Sequence, residues 1–371
     1  MNISEIKKNL LKNGFKVIKI KKKTINKDLH SLLFTAFSSL IIIGFFSFLP
    51  FLNNYFSQLA FNSKLIDNTS KIDFEKTLSG KEINKKKILE SDSLSLKNLF
   101  DDIFEFEDVP SDVVRLSAET IKQLFEDTKY NLNDVRKNKV VKPVSIALLP
   151  NEIKNIESSK RRKQLFIQIV LPLILEENER IKLDRKRLFV ILNKNNNTES
   201  EKKWLKNKFK QYGVVNRDLT TLKIRMDEIP VSLAIAQAAK ETGWGTSRFA
   251  LDGNALFGQW TYTGEGIKPA SADIDAKHKV MKFKVLQASV RAYQRNLNTH
   301  SSYRMFRKVR AIQRDNYGKL DSLELVNHLD KYAATGKEYT RILKQIIEQN
   351  KLTDFDDAKL LPSSEKLKKL I

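Results

Sequence analysis

The hydrophobic pattern begins with an unbroken run. From Ser31 to Leu52 the chain reads SLLFTAFSSLIIIGFFSFLPFL, without an ionisable side chain. As a helix rising about 1.5 Å per residue, such a run crosses a hydrocarbon core of about 30 Å. Lys7, Lys8, Lys12, Lys16, Lys19, Lys21, Lys22, Lys23 and Lys27 precede it, opposed only by Glu5 and Asp28. The positive-inside rule then puts residues 1–30 in the cytoplasm as a basic tail, 31–52 in the membrane and the rest outside. A cleaved signal would have an apolar core of only about 7–15 residues and a small-residue cleavage site. Pro50 to Asn54 (PFLNN) has no such pattern. An uncleaved anchor is expected.

Residues 53–139 alternate weakly and are rich in Ser, Lys, Asp and Asn. They read as an extracytoplasmic spacer with partial structure, including short helices near Leu99–Phe104 and over Ala118–Asp127. The texture changes at Val140. An extended stretch to Pro150 leads into a helical pattern from about Ser159 to Leu192, which Pro172 should kink or break. Its apolar part, Leu165 to Leu175, is too short to span a membrane and predicts a buried helix. Leu205, Phe209 and Tyr212 mark the next helix, with Gly213 as its C-cap. Pro230 opens a helix reading VSLAIAQAAKETGWG, whose small residues suit a central, closely packed position. From Asn254 to about Lys284, turn residues and the stretch Lys279 to Lys284 predict a small hairpin lobe. Helical stripes follow: Leu286, Val290, Tyr293 and Leu297; Leu325, Leu329 and Tyr332; Tyr339, Ile342, Leu343, Ile346 and Ile347. The expected division is therefore a helical segment over 140–200, a main domain over 201–350 and a polar tail over 351–371.

Charge and composition now narrow the partners. The 371 residues carry a net charge of +23, from 67 Lys and Arg against 44 Asp and Glu. Nucleic acid, anionic lipid and anionic wall polymer all suit such a charge. With most of it placed outside the membrane, nucleic acid drops out and an anionic wall is the natural partner. The absence of cysteine excludes disulfides, thiol nucleophiles and thiolate metal sites. His278 and His300 are isolated in sequence, with no metal-ligand spacing, so neither a metal nor another cofactor is expected.

The candidate chemistry centres on Glu241, at the C-terminal end of the alanine-rich helix and followed by Thr242-Gly243-Trp244-Gly245. The negative end of a helix and apolar surroundings both disfavour a carboxylate and raise its pKa. That is what a glycosidase acid needs if it is to hold a proton near neutral pH.

The segment PVSLAIAQAAKETGWGTSRFALDGNALFGQW, Pro230 to Trp260, resembles the glucosaminidases of glycoside hydrolase family 73, particularly their Bax-type branch. The family's A-x-x-E-[ST]-x-W-G-x-S core matches Ala238, Glu241, Thr242, Trp244, Gly245 and Ser247. Its G-N-N-L-F-G element matches Gly253, Asn254, Leu256, Phe257 and Gly258, with Ala255 departing from the second Asn. Ser289 to Ala311 is similar to the branch's helix after the β-lobe, and Leu171 to Ile181 to a helix that precedes the domain. Tyr332 to Tyr339 resembles Y-A-T-D-P-x-Y, with Gly336-Lys337 replacing Asp-Pro. The resemblance covers roughly Val140 to Asn350.

It implies a mostly α, α+β fold: a lysozyme-like helical lobe facing a small β-hairpin lobe across a cleft, here preceded by the transmembrane helix. It implies hydrolysis of the β-1,4 bond between N-acetylglucosamine and N-acetylmuramic acid in peptidoglycan, with Glu241 as general acid and Tyr332 in the cleft. Tyr332 also completes an apolar stripe, and the core reading stays open for it. A second carboxylate has candidates in Glu265, Asp273 and Asp275, of which Asp273 is taken; a substrate-assisted route would need none. Trp244, Phe257, Trp260 and Tyr262 are candidates for stacking on sugar rings, although Trp244 and Phe257 also suit a core. Asn254 and Gln259 are candidates for acetamido contacts. Two other readings remain: a lytic transglycosylase, whose E-S-x-F-x-P pattern is absent, and a non-catalytic wall-binding scaffold.

Overall fold

The computed structural model describes residues 113–261, 266–268 and 279–362. The anchor at 31–52, most of the spacer, Tyr262, Glu265, Asp273 and Asp275 lie outside the described residues. Among the described residues no helix is long and apolar enough to cross a membrane.

The described chain is mostly helical, with a small sheet. Helix α1 (Ala118–Asp127) starts where the Ser117 side chain accepts from Thr120 N, and α2 (Leu132–Asn138) where Asn131 accepts from Asp134 N. Both are packed: Ile121, Phe125, Tyr130, Leu132 and Val135 enter the main core. Tyr130 and Gln168 also tie this region to the next long helix by reciprocal bonds, hydroxyl to carbonyl at 3.1 Å and amide to carbonyl at 3.0 Å. The spacer expected over 53–139 therefore does not extend to Lys139. Its composition is polar, yet each short helix turns one apolar stripe inward.

Strand β1 (Val140–Val141) leads through a 3-10 turn (Asn151–Asn155) to helix α3 (Ser159–Leu192), 34 residues long. The break expected at Pro172 does not occur. Proline costs a helix interior about 3 kcal/mol, but here Leu171, Pro172 and Leu173 are all buried, and packing on both sides outweighs that cost. The far half of α3 joins α4 (Glu199–Gln211) and α5 (Leu219–Arg225) around a satellite core of Ile181, Leu188, Phe209, Tyr212, Val214, Leu222 and Met226.

Helix α6 (Val231–Thr242) is the central element, buried on nearly every face from Val231 to Ala239. Its alanines let α3 approach it closely. Helix α7 (Arg248–Gly253) then leads into the sheet formed by β2 (Trp260–Thr261), β3 (Gly266–Ile267) and β4 (Lys279–Met281). The strands are antiparallel in the order β2-β4-β3, so the expected hairpin lobe is a three-stranded one.

Helix α8 (Leu286–Thr299) buries its whole predicted stripe. After α9 (Arg304–Tyr317), α10 (Ser322–Val326) ends before Leu329 and Tyr332, which follow in a turn instead of on a continuing helix. Helix α11 (Lys337–Gln349) places Tyr339, Leu343 and Ile347 in the core.

The polar tail expected from 351 is another correction. Leu352 and Phe355, in a 3-10 turn, are fully buried, and β5 (Lys359–Leu360) pairs in parallel with β1. Arg136 clamps the same segment through Asn350 O, Lys351 O and the Asp354 carboxylate. These contacts link positions more than 200 apart in the chain, which local polarity cannot reveal.

Candidate active site

Glu241 lies in the last turn of α6, and an unusual turn holds it there. Gly243, Trp244 and Gly245 all take left-handed backbone, with φ of 58°, 63° and 84°. Glycine is required at 245, where a β-carbon would come within 2.9 Å of Phe166 Cδ2 and 3.1 Å of Ile153 Cδ1. Thr242 closes the turn. Its hydroxyl donates to Ala238 O at 2.6 Å and accepts from Gly245 N at 2.9 Å. Trp244 is held by an edge contact to Phe166, centroids 6.0 Å apart, with Lys163 Nζ 4.9 Å above its ring. Much of the Thr-Gly-Trp-Gly motif is thus a device for docking the end of α6 on α3.

The Glu241 carboxyl is half-buried. Its Oε1 accepts a hydrogen bond of 2.8 Å from the Tyr339 hydroxyl. Its Oε2 faces Gly258, so closely that a β-carbon there would stand 3.2 Å away. Burial pushes its pKa above the ordinary carboxylate range, against the smaller opposing effects of the Tyr339 bond and the Lys240 charge. One oxygen is therefore held, and the other accepts no hydrogen bond from the described residues.

A wall of tyrosines surrounds this carboxyl. Tyr332 stacks on Tyr339, centroids 5.5 Å apart and planes within 7°, and its hydroxyl donates to Phe257 O at 2.8 Å. Burial, then the neighbouring Tyr339 and Glu241, push the Tyr332 pKa well up, so it stays a neutral donor. Tyr303 lies 5.9 Å from Tyr332, its pKa pushed up to about 12, chiefly by burial. The structure thus places Tyr332 beside Glu241 and in contact with the core at once.

The other expected site residues divide. Phe257 is 1% exposed and stacks on Tyr293 at 3.8 Å, which places it in the core with no face for a sugar. Asn254 takes left-handed backbone as the C-cap of α7, and its amide donates to Phe283 O and Lys284 O at 2.8 and 3.2 Å. The amide nitrogen thus braces the sheet lobe, while Oδ1 has no partner among the described residues. Gln259 is buried, with its Oε1 lacking a partner among the described residues and its backbone carbonyl accepting from Met281 N. Trp260 opens β2, paired with Val280. Tyr262 and Asp273 lie outside the described residues. Ala255, where the family pattern has Asn, is buried against Val280, Phe283, Ala288 and Ala292, an environment that suits a methyl group.

Two residues of the site were missed by the sequence reading. Tyr339 reads as one more core position of an apolar stripe, yet its hydroxyl holds the carboxyl. Gln237 is fully buried and donates to the Tyr339 hydroxyl at 3.1 Å. A signal for it existed: it is the lone polar residue in AIAQAA and lies one turn before Glu241, on the same helix face. Among the described residues no group of three or more His, Asp or Glu side chains is placed to hold a metal ion.

A carboxyl at a helix end whose pKa is raised by burial, held by a tyrosine donor and lying beside a glycine, is the equipment of a glycosidase, and the chain belongs to the glucosaminidase family. The family model described as mannosyl-glycoprotein endo-beta-N-acetylglucosaminidase matches residues 220–352. Within that family the chain falls in the Bax-type branch. It is 32% identical to Protein bax of Escherichia coli (strain K12) over 206 residues, which cover 54% of this chain and 73% of that protein. No solved structure matches the chain.

Proposed function

We propose that this protein is a membrane-anchored peptidoglycan hydrolase of lysozyme-like fold that cleaves the β-1,4 bond between N-acetylglucosamine and N-acetylmuramic acid, with Glu241 as general acid. The observation that carries the reading is the state of one carboxyl: Glu241 is half-buried, its pKa is raised by that burial, Oε1 is held by Tyr339 and Oε2 is left beside Gly258. A protonated Oε2 would give its proton to the glycosidic oxygen as the C1–O bond breaks, and water would then add at C1. The neutral Tyr339 hydroxyl, donating to Oε1, stabilises the carboxylate left behind. Asp273 as the base for that water, or the substrate's own acetamido group, completes the reaction. Gln259, Trp260, Tyr262 and the outer edge of Trp244 are the proposed sugar contacts. The apolar run 31–52 and the basic tail before it support an anchor with the catalytic part outside the cytoplasm. The net charge of +23 suits an anionic wall.

The test is digestion of purified peptidoglycan by the detergent-solubilised full chain beside Glu241→Gln, with reduced products read by mass spectrometry. New N-acetylglucosamine reducing ends, lost in the variant, are the expected result. Anhydro-muramic ends would mean a lytic transglycosylase. Wall binding without turnover would mean a scaffold.

A further inference from the structure

Glu241 is the last member of a buried chain of hydrogen bonds. The Tyr293 hydroxyl donates to Gln237 Oε1 at 2.7 Å. Gln237 Nε2 donates to the Tyr339 hydroxyl oxygen at 3.1 Å, and Tyr339 donates to Glu241 Oε1 at 2.8 Å. Tyr293 and Gln237 are fully buried and Tyr339 is 1% exposed, so water does not compete for these links. The Tyr293 ring is further fixed by its stack on Phe257.

The chain has a polarity. An amide oxygen can only accept and an amide nitrogen can only donate, while a phenol has a single hydrogen. Once Tyr293 gives its hydrogen to Oε1, the Gln237 nitrogen must face Tyr339. The Tyr339 oxygen is then occupied as an acceptor, and its own hydrogen is left for Glu241. Oε1 is thereby an acceptor whether Glu241 is charged or neutral. A proton on Glu241 must reside on Oε2, the oxygen facing Gly258. With the amide reversed, Tyr339 would accept from Oε1, and the acidic proton would be turned into the protein.

We infer that Gln237, oriented by Tyr293, acts through Tyr339 to place the acidic proton of Glu241 on Oε2. Gln237, Tyr293 and Tyr339 are positioning residues, and the inference rests on the reading of Glu241 as the general acid. At Gly258 a β-carbon would stand 3.2 Å from that oxygen, and glycine keeps that space clear.

The experiment is a carbon-13 carboxyl titration of Glu241 in the full chain in detergent, the resonance assigned by its loss in Glu241→Gln. Tyr339→Phe removes the donor to the carboxylate and is expected to raise the pKa by about one unit. Tyr293→Phe keeps the ring and its stack and removes a hydroxyl that does not touch Glu241. It is expected to move the titration upward by a smaller amount, and to add nothing in a Tyr339→Phe background. Gln237→Met fills the same space without an amide and should also shift it upward. An unmoved titration in both Tyr293→Phe and Gln237→Met, or full additivity with Tyr339→Phe, would overturn the inference. Shifted titrations without any glycan turnover would keep the relay and remove the general-acid reading. Turnover with unmoved titrations would do the reverse.

Discussion

The two ends of helix α6 each meet a carboxylate whose pKa is raised by burial, and the two carboxylates are held differently. At the start of the helix, Asp356 accepts from Ser232 N at 2.8 Å, from Ser232 Oγ at 2.7 Å and, more distantly, from Ser322 Oγ at 3.4 Å. Burial pushes its pKa up to about 6 despite those donors. At the other end, Glu241 receives one bond, on Oε1, and keeps Oε2 beside a glycine. Asp356 caps the helix from the C-terminal segment, at the pole where a negative charge is favoured. Glu241 sits at the opposite pole, where it is not. A raised pKa does not by itself mark an acid catalyst. What separates the two is an oxygen that accepts no hydrogen bond from the described residues.

The sharpest way to break this comparison is to neutralise each carboxyl in turn. Glu241→Gln should lower glycan turnover by about 10³-fold, the range of a lost general acid, while the protein stays folded. Asp356→Asn should leave turnover within about twofold, because both Ser232 bonds keep a partner. Equal losses in the two variants would remove the distinction.

Next in size is the turn that carries Glu241. Gly245→Ala pushes a methyl group toward Phe166 and Ile153 at a left-handed position and should cost about 2–3 kcal/mol in denaturant unfolding. At the other pole, Asp356→Ala removes the cap and should cost about 1–2 kcal/mol, read the same way.

The last comparison is in the pH dependence of stability. A carboxyl whose folded pKa is raised contributes stability that is complete below its unfolded value and is lost as pH rises through the folded one. For Asp356 that window runs from its ordinary 3.8 to about 6. Asp356→Asn should therefore flatten the decline in stability between about pH 4 and about pH 7. Glu241→Gln should flatten it in the same direction, since its pKa is also raised.

Much of the site could be read before the fold was known. Glu241 follows from its place at a helix end before glycines, and the resemblance that located it also located Tyr332. Gln237, a lone amide on an apolar face, was visible in principle. Tyr339 was not, because a tyrosine on a buried stripe looks the same whether its hydroxyl is idle or holds the Glu241 carboxyl. Phe257 and Asn254 were legible as members of a motif but not in their duties. The ring is spent on Tyr293 and the amide on two backbone carbonyls of the sheet lobe.

Local pattern determined the helices, their caps and the buried character of α6, because a period of 3.6 residues and a capping side chain act within a few positions of each other. It also supplied the chemistry proposed for the site, through one carboxyl and the residues beside it. Tertiary structure alone decided that α3 runs unbroken through Pro172, that residues 118–138 and 352–360 belong to the same packed body, and that Tyr293, Gln237 and Tyr339 meet at Glu241. Each of these depends on contacts between distant parts of the chain. Their energies come from burial and from hydrogen bonds completed across the core, neither of which leaves a local mark in the order of residues.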